Sequence, residues 1–349
     1  MATEKTLLVT GASGFIAQHI ILKALEAGHH VRGSVRDKGK IRSVREALSR
    51  HLSDPQTMLE RLKFVELDLS SEDGWNTAIN GADALIHVAS PFPFVQPKDP
   101  DEVIKPAVDG ALRALRAAKQ GGVKRVVLTS SGYAIIEKAL RPGRTEYNED
   151  DWSDPNDPTS TPYSRSKTIA EKAAWDYVKN QAPEIGLTVI NPGLVLGPPL
   201  DTELSTSIKV VKRLLDGRDP ALPHFGFPVV DVRDVAEAHL RALDRPEAIG
   251  KRIMVAGDFM WFVDMATAIK AAFPERKIVT RVAPNWLIRI LARFDGEIRP
   301  IAPVLGVKRT VSNARARELL GLEFIDVRES AVDSARFLIE NGLVSTGRS

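Results

Sequence analysis

The sequence predicts an α/β fold, a doubly wound parallel sheet with a smaller, mostly helical C-terminal lobe. Short β-branched runs alternate with longer helical patterns through residues 1–197. A glycine-containing turn joins the first such run to the first helix, and the alternation stops after Pro198. Strands that are apolar almost throughout, each followed by a helix, belong to a parallel sheet covered on both faces. Right-handed crossovers then bring the C-terminal ends of the strands to one edge, where ligands bind.

In chain order, strands are expected at Thr6–Val9, His30–Val35, Leu62–Leu67, Ala84–Val88, Arg125–Thr129 and Leu187–Asn191. Helices are expected at Ile16–Ala27 and Asp101–Lys119. In the second, Val103, Ile104, Ala107, Val108, Ala111, Leu112 and Leu115 recur at helical spacing. Pro106 interrupts that pattern and points to a first-turn position or a kink. Beyond Pro198, Glu203–Asp216, Phe262–Ala272, Trp286–Phe294 and Val327–Asn341 read as helices without strand partners. Pro228–Asp231 and Arg252–Ala256 return to the strand pattern around a helix at Val232–Leu243, so this middle piece is placed back against the main sheet. Residues 1–197 plus about 226–257 then form a dinucleotide-binding domain, and about 198–225 plus 258–349 a substrate lobe.

A chain that is 43% hydrophobic and 27% charged can build an ordinary globular core. It has no cysteine, which removes disulfides and thiol chemistry, and its first apolar run, Leu7–Val9, leaves no room for a signal peptide. No apolar stretch approaches the ~20 residues that cross a bilayer. The expectation is a cytoplasmic protein, monomeric or homodimeric, with no membrane and no nucleic acid as partner. Between Arg276 and Arg317 ten Lys or Arg face two acidic residues, but without interleaved aromatics this reads as a solvated helical surface. The seven histidines lack ligand spacing, so no metal site is expected.

Thr10-Gly11-Ala12-Ser13-Gly14-Phe15-Ile16-Ala17 directly follows the first strand. A diphosphate needs backbone close by, with the N–H groups of a helix N-terminus aimed at it. Gly11 permits the tight turn, and Gly14 admits the ligand; Ser13, Phe15 and Ile16 complete the cradle. The second strand ends in Arg36, with Lys38, Lys40 and Arg42 close behind. An acidic residue there would hold the ribose of NAD, whereas cations favour the 2′-phosphate of NADP. Asp37 stands one position too late. NADPH is therefore the expected cofactor. Asp68 and Leu69 end the third strand, where the carboxylate and the next N–H can meet the adenine, and Val88-Ala89-Ser90 ends the fourth beside the cofactor.

Tyr163-Ser164-Arg165-Ser166-Lys167 opens a helix with a buried stripe of Ala170, Ala173, Ala174 and Tyr177. Residues four apart share a helical face, so Tyr163 and Lys167 project to one place. A phenol with a pKa of about 10 is a poor proton shuttle at neutral pH, and a nearby ammonium is expected to lower it. Lys167 can also hold the nicotinamide ribose. Thr129-Ser130-Ser131-Gly132 ends the fifth strand, where a serine hydroxyl can meet charge developing on a carbonyl oxygen. Together they suit hydride transfer to a carbonyl carbon with Tyr163 as proton donor.

With T-G-A-S-G-F-I-A, V-R-G-S-V-R-D, L-D-L, H-V-A-S-P, V-V-L-T-S-S, Y-S-R-S-K, N-P-G-L-V-L-G-P and V-V-D-V-R-D-V-A-E-A-H, the chain resembles the extended short-chain dehydrogenases/reductases, built on a Rossmann domain. Within them it is similar to the dihydroflavonol 4-reductase-like branch. The resemblance covers about residues 5–260 at motif level. It implies Ser131, Tyr163 and Lys167 as catalytic residues, Arg36 at the 2′-phosphate, and Pro192 and Val195 at the nicotinamide. That branch's flavonoid-binding asparagine is Ile136 here, and the cinnamoyl-CoA reductase signature is missing before Tyr163, leaving the aldehyde and ketone reductases of the branch. Phe92, Phe94 and Tyr133 either wall an apolar substrate pocket or bury a loop. A nucleotide-sugar epimerase, a hydroxysteroid dehydrogenase and a non-catalytic NADPH sensor are the rivals. Arg36 argues against the first, and the intact Ser131, Tyr163 and Lys167 against the last.

Overall fold

The computed structural model describes residues 4–90, 99–294 and 298–345. The strands in chain order are β1 (Thr6–Val9), β2 (His30–Val35), β3 (Leu62–Glu66), β4 (Ala84–His87), β5 (Arg125–Thr129), β6 (Gly186–Pro192), β7 (Leu194–Leu196), β8 (Gly226–Asp231), β9 (Arg252–Val255) and β10 (Phe259–Trp261). The larger sheet runs β3-β2-β1-β4-β5-β6-β9 and is parallel throughout. Strand order reverses between β1 and β4, which makes their C-terminal ends the switch point where a dinucleotide lies.

Burial explains the apolar runs. Leu7, Leu8 and Val9 of β1 and Leu85 and Ile86 of β4 have no exposed surface because helices cover both faces. On one face the helix Phe15–Glu26 packs against Val232–Asp244; on the other, Asp101–Gln120 packs against Pro162–Gln181. Pro106 does not mark a first turn: the helix Asp101–Gln120 runs through it. The turn ahead of the ring is held by the Val103 and Ile104 N–H groups, which both donate to the Pro100 carbonyl, at 3.1 and 3.0 Å.

The middle piece divides. β9 enters the main sheet beside β6, and the helix Val232–Asp244 lies against it, as expected. β8 does not. It pairs in parallel with β7 and antiparallel with β10, forming a separate three-stranded sheet. Gly193, between β6 and β7, permits this: a Cβ there would sit 2.4 Å from the Pro228 carbonyl oxygen. The glycine lets the chain leave the main sheet and run against β8 without a clash. Helices Thr206–Asp216, Phe262–Ala272 and Val327–Glu340 cover the small sheet, burying Ile208, Val211, Met265, Ile269 and Leu338 as the lobe's own core. Expected helix Trp286–Phe294 forms as Asn285–Leu291, and Lys40–Ser49 and Ala314–Leu320 are helices the periodicity did not indicate. Among the described residues no helix is long and apolar enough to cross a membrane.

Candidate active site

A cleft of about 950 Å³ opens over the C-terminal ends of the main sheet, where the lobe meets it. Its floor at one end is the first turn after β1. Gly11 has φ +71°, and a Cβ there would come within 2.9 Å of the Ala89 Cβ, so no other residue fits without displacing the β4 end. Gly11 N–H donates to the Ser34 hydroxyl at 3.1 Å, which ties the turn to β2. Gly14 is the N-cap of a 12-residue helix that has no side-chain cap, leaving first-turn N–H groups available to an anion. A Cβ on Gly14 would meet only the Gly11 carbonyl, at 3.2 Å; the room above it is open. These features fit the diphosphate of a dinucleotide. Ser13, Phe15, Ile16, Asp68, Leu69, Val88, Ala89 and Ser90 all line the cleft, as do Pro192 and Val195 farther along.

The cations after β2 separate sharply. Lys38 pairs with Glu66 at 2.8 Å, Lys40 with Glu203 at 2.8 Å and Arg42 with Glu46 at 2.7 Å. Arg36 lines the cleft and is exposed, with no hydrogen-bond or ion-pair partner among the described residues. Asp37 turns back to accept the Gly39 N–H at 2.8 Å. Lys40, expected to join the phosphate site, is thus taken by a carboxylate from the lobe and lies outside the cleft wall. The Asp68 carboxylate is held below its usual range chiefly by the Ser70 N–H, at 2.8 Å, then by the Ser70 hydroxyl.

Ser131, Tyr163 and Lys167 converge at the other end of the sheet edge. Thr161 caps the helix Pro162–Gln181 by accepting the Ser164 N–H at 3.1 Å, while Ser164 returns its oxygen to the Thr161 N–H at 2.9 Å. That capping box fixes the first turn, and with it Tyr163. The Tyr163 and Ser131 side chains are hydrogen-bonded. Lys167, 8% exposed, sends its ammonium to the Ser90 hydroxyl at 2.8 Å, and its Nζ lies 5.6 Å from the centroid of the Tyr163 ring. Tyr133 stacks edge-on against Tyr163 with ring centroids 6.0 Å apart.

The electrostatics differ from the sequence expectation. Burial pushes the Tyr163 hydroxyl up to about 12, and the Ser131 hydrogen bond is the influence that opposes it. Burial also takes Lys167 down to about 8, against the pull of Glu171. Loss of water dominates at the phenol, while the Lys167 ammonium donates to the Ser90 hydroxyl. His87 is the packed strand residue its position suggested, buried beside the Thr10 hydroxyl and lowered by burial to about 3.

Behind these groups lies a buried network that the motifs do not reveal. Glu171, 1% exposed, accepts from the Ser130 hydroxyl at 2.5 Å and from Asn191 Nδ2 at 2.7 Å, and it pairs with Arg252. Nearer the lobe, Glu137 accepts from the Ser164 hydroxyl at 3.3 Å and pairs with Arg309 at 2.5 Å. Burial raises the Glu137 carboxyl. Arg315 likewise turns inward to Glu149 and reaches Asp150. Part of the basic stretch thus binds the lobe to the sheet instead of facing water.

The remaining wall of the cleft is largely apolar, with Thr161, Ser205, Thr206 and Ser207 set among the apolar side chains. Tyr133, Ile136 and Met254 come from the sheet side, and Leu204, Val210 and Phe227 from the lobe side. Phe92 and Phe94, expected here, lie outside the described residues. Among the described residues no group of three or more His, Cys, Asp or Glu could hold a metal ion.

This fold and this site define a dinucleotide-dependent enzyme of the short-chain dehydrogenase/reductase type. The chain belongs to the NAD dependent epimerase/dehydratase family, matched over residues 7–257. It is 33% identical to cinnamoyl-CoA reductase 1 of Petunia hybrida over 340 residues, 97% of this chain and 93% of that one. It is 32% identical to a ketoreductase of Aspergillus niger over 358 residues, 96% of this chain and 98% of the relative. The crystal structure of yeast methylglyoxal/isovaleraldehyde reductase complexed with NADPH superposes with a TM-score of 0.79 at 28% identity, covering 97% of this chain and all of that one (100%).

Proposed function

We propose that the protein reduces an aldehyde or ketone to an alcohol with NADPH, Tyr163 acting as proton donor. The observation that carries this reading is the hydrogen-bonded Tyr163–Ser131 pair with Lys167 one turn on, in a cleft whose far end offers Arg36, unpaired among the described residues. Similarity to a ketoreductase and to an NADPH-bound aldehyde reductase supports it. Gly11, Gly14 and the helix N-terminus would hold the diphosphate, Arg36 the 2′-phosphate, Asp68 the adenine, and Lys167 the nicotinamide ribose.

The carbonyl carbon accepts the hydride that bound NADPH supplies, while Tyr163 gives its proton to the carbonyl oxygen. A phenol held near 12 keeps that proton at neutral pH, the state a donor needs. The same shift makes the phenolate left behind costly. Ser131, hydrogen-bonded to Tyr163, and the nearby charge of Lys167 are the groups that offset it. Solvent then returns the proton. The apolar wall of Tyr133, Ile136, Leu204, Val210 and Phe227 favours a neutral carbonyl compound, and Ile136 gives no side-chain hydrogen bond to a polyhydroxylated ring.

The test is NADPH consumption by purified protein offered small aldehydes, aryl ketones, diketones and steroids. Turnover is expected with at least one neutral carbonyl. Tyr163→Phe should lower kcat by about 10²–10⁴-fold with NADPH still bound. Tightly held NAD with nucleotide-sugar epimerisation, or no oxidation of NADPH by any carbonyl, would overturn the proposal.

A further inference from the structure

Glu171 lies on the stripe of the catalytic helix that carries Tyr163 and Lys167, one turn beyond the lysine. A carboxylate with almost no water needs its lone pairs filled, and here each oxygen has a donor. Oε2 takes the Ser130 hydroxyl and Asn191 Nδ2; Oε1 takes Arg252 Nε and, at 3.4 Å, Trp175 Nε1. Arg252 is satisfied in turn. Its guanidinium donates to the carbonyls of Glu149, Asp151 and Ala134 at 2.9, 2.6 and 3.2 Å, and stacks 3.6 Å over Trp152. A buried ion pair with every polar atom met is one that can hold its geometry.

The network reaches the reacting groups from two sides. Asn191 Nδ2, bonded to Glu171, also donates to the Ser131 carbonyl at 3.1 Å. Ser130, bonded to the same carboxylate, immediately precedes Ser131. We infer that Glu171 is the positioning residue of this site, its carboxylate tying the backbone at Ser131 to Lys167 one helical turn away. The inference rests on the roles proposed above for Tyr163, Ser131 and Lys167.

Glu171 does not line the cleft, so its effect runs through its neighbours. Desolvation works to strip the proton from Lys167, and Glu171 is the charge that opposes it. The other titratable groups near the lysine do not: His87 on β4 is buried and neutral, and Tyr163 is protonated. Arg252, across from Glu171, is committed to that carboxylate and to main-chain oxygens. A reaction that needs the ammonium loses rate as pH rises through the lysine's pKa. Removing the Glu171 charge must therefore move that alkaline limb to lower pH.

The experiment is the pH profile of NADPH-dependent reduction for the native chain, Glu171→Gln and Glu171→Asp, with thermal unfolding of each. Gln keeps the size and loses the charge; its alkaline limb should fall by about one pH unit, with kcat also lowered at the acid end as the tie to the Ser131 backbone loosens. Asp keeps the charge but withdraws it by one methylene, and should shift the limb the same way by less. That arm decides the matter alone if the Gln variant does not fold. A uniform loss of kcat at every pH, with the limb unmoved in both variants, would overturn the inference and reduce Glu171 to packing. Tyr163→Phe in parallel separates the failures: if it stays active, the proton-donor reading falls first.

Discussion

The two halves of the cleft are made by different means. The half proposed for the cofactor is built around the ends of β1, β2 and β4, with Arg36 as a cation that has no partner among the described residues. The half proposed for the substrate takes larger apolar side chains, several of them from the lobe: Leu204, Val210 and Phe227. Close backbone approach, as at Gly11 and Ala89, tolerates no variation in size. A wall of side chains does, because each can change volume without moving the sheet. On the proposed function, the rigid sheet would orient the cofactor and the appended lobe would set substrate choice.

Substitutions in each half should leave the other untouched. Arg36→Ala should raise the KM for NADPH by roughly 10- to 100-fold, the worth of a charge-assisted phosphate contact, and leave NADH unchanged. Kinetics with both cofactors check this; equal losses would dissolve the assignment of that end. Val210→Ala should alter the KM for bulky carbonyl substrates by about 10-fold or more without affecting NADPH, because it removes two carbons from an apolar pocket where each is worth roughly 10-fold or more. A changed NADPH constant would show that the halves are coupled. Lys40→Ala should change the NADPH constant by less than about twofold, since an exposed pair with Glu203 contributes little. A loss as large as that of Arg36→Ala would return Lys40 to the phosphate site.

Much of the cofactor half could be read directly because its residues are contiguous. The turn from Thr10 to Ala17 encodes its own geometry, and a buried parallel strand writes itself as an apolar run. Whatever depends on partners distant in the chain stayed hidden. Lys40 looked like one cation of a cluster until Glu203, 163 positions away, claimed it. The Tyr163 shift reflects three-dimensional burial, which no spacing of Tyr and Lys encodes. β8 carried a strand pattern but not the identity of its neighbour, which depends on the close approach to Pro228 that Gly193 permits. Glu171 gave one faint sign, a charge on a helical stripe otherwise filled by Ala170, Ala174 and Tyr177. Its partners Ser130 and Arg252 stand 41 and 81 residues off.

Arg309 ties the C-terminal part of the chain to Glu137 in a way that pocket walls alone would not. A version of the protein shortened ahead of it would keep Ser131, Tyr163 and Lys167. It would also strand Glu137 as a lone carboxylate beneath the first turn of the helix that presents Tyr163. The smaller lobe is therefore no detachable module, and transplanting it between homologues requires carrying this guanidinium along.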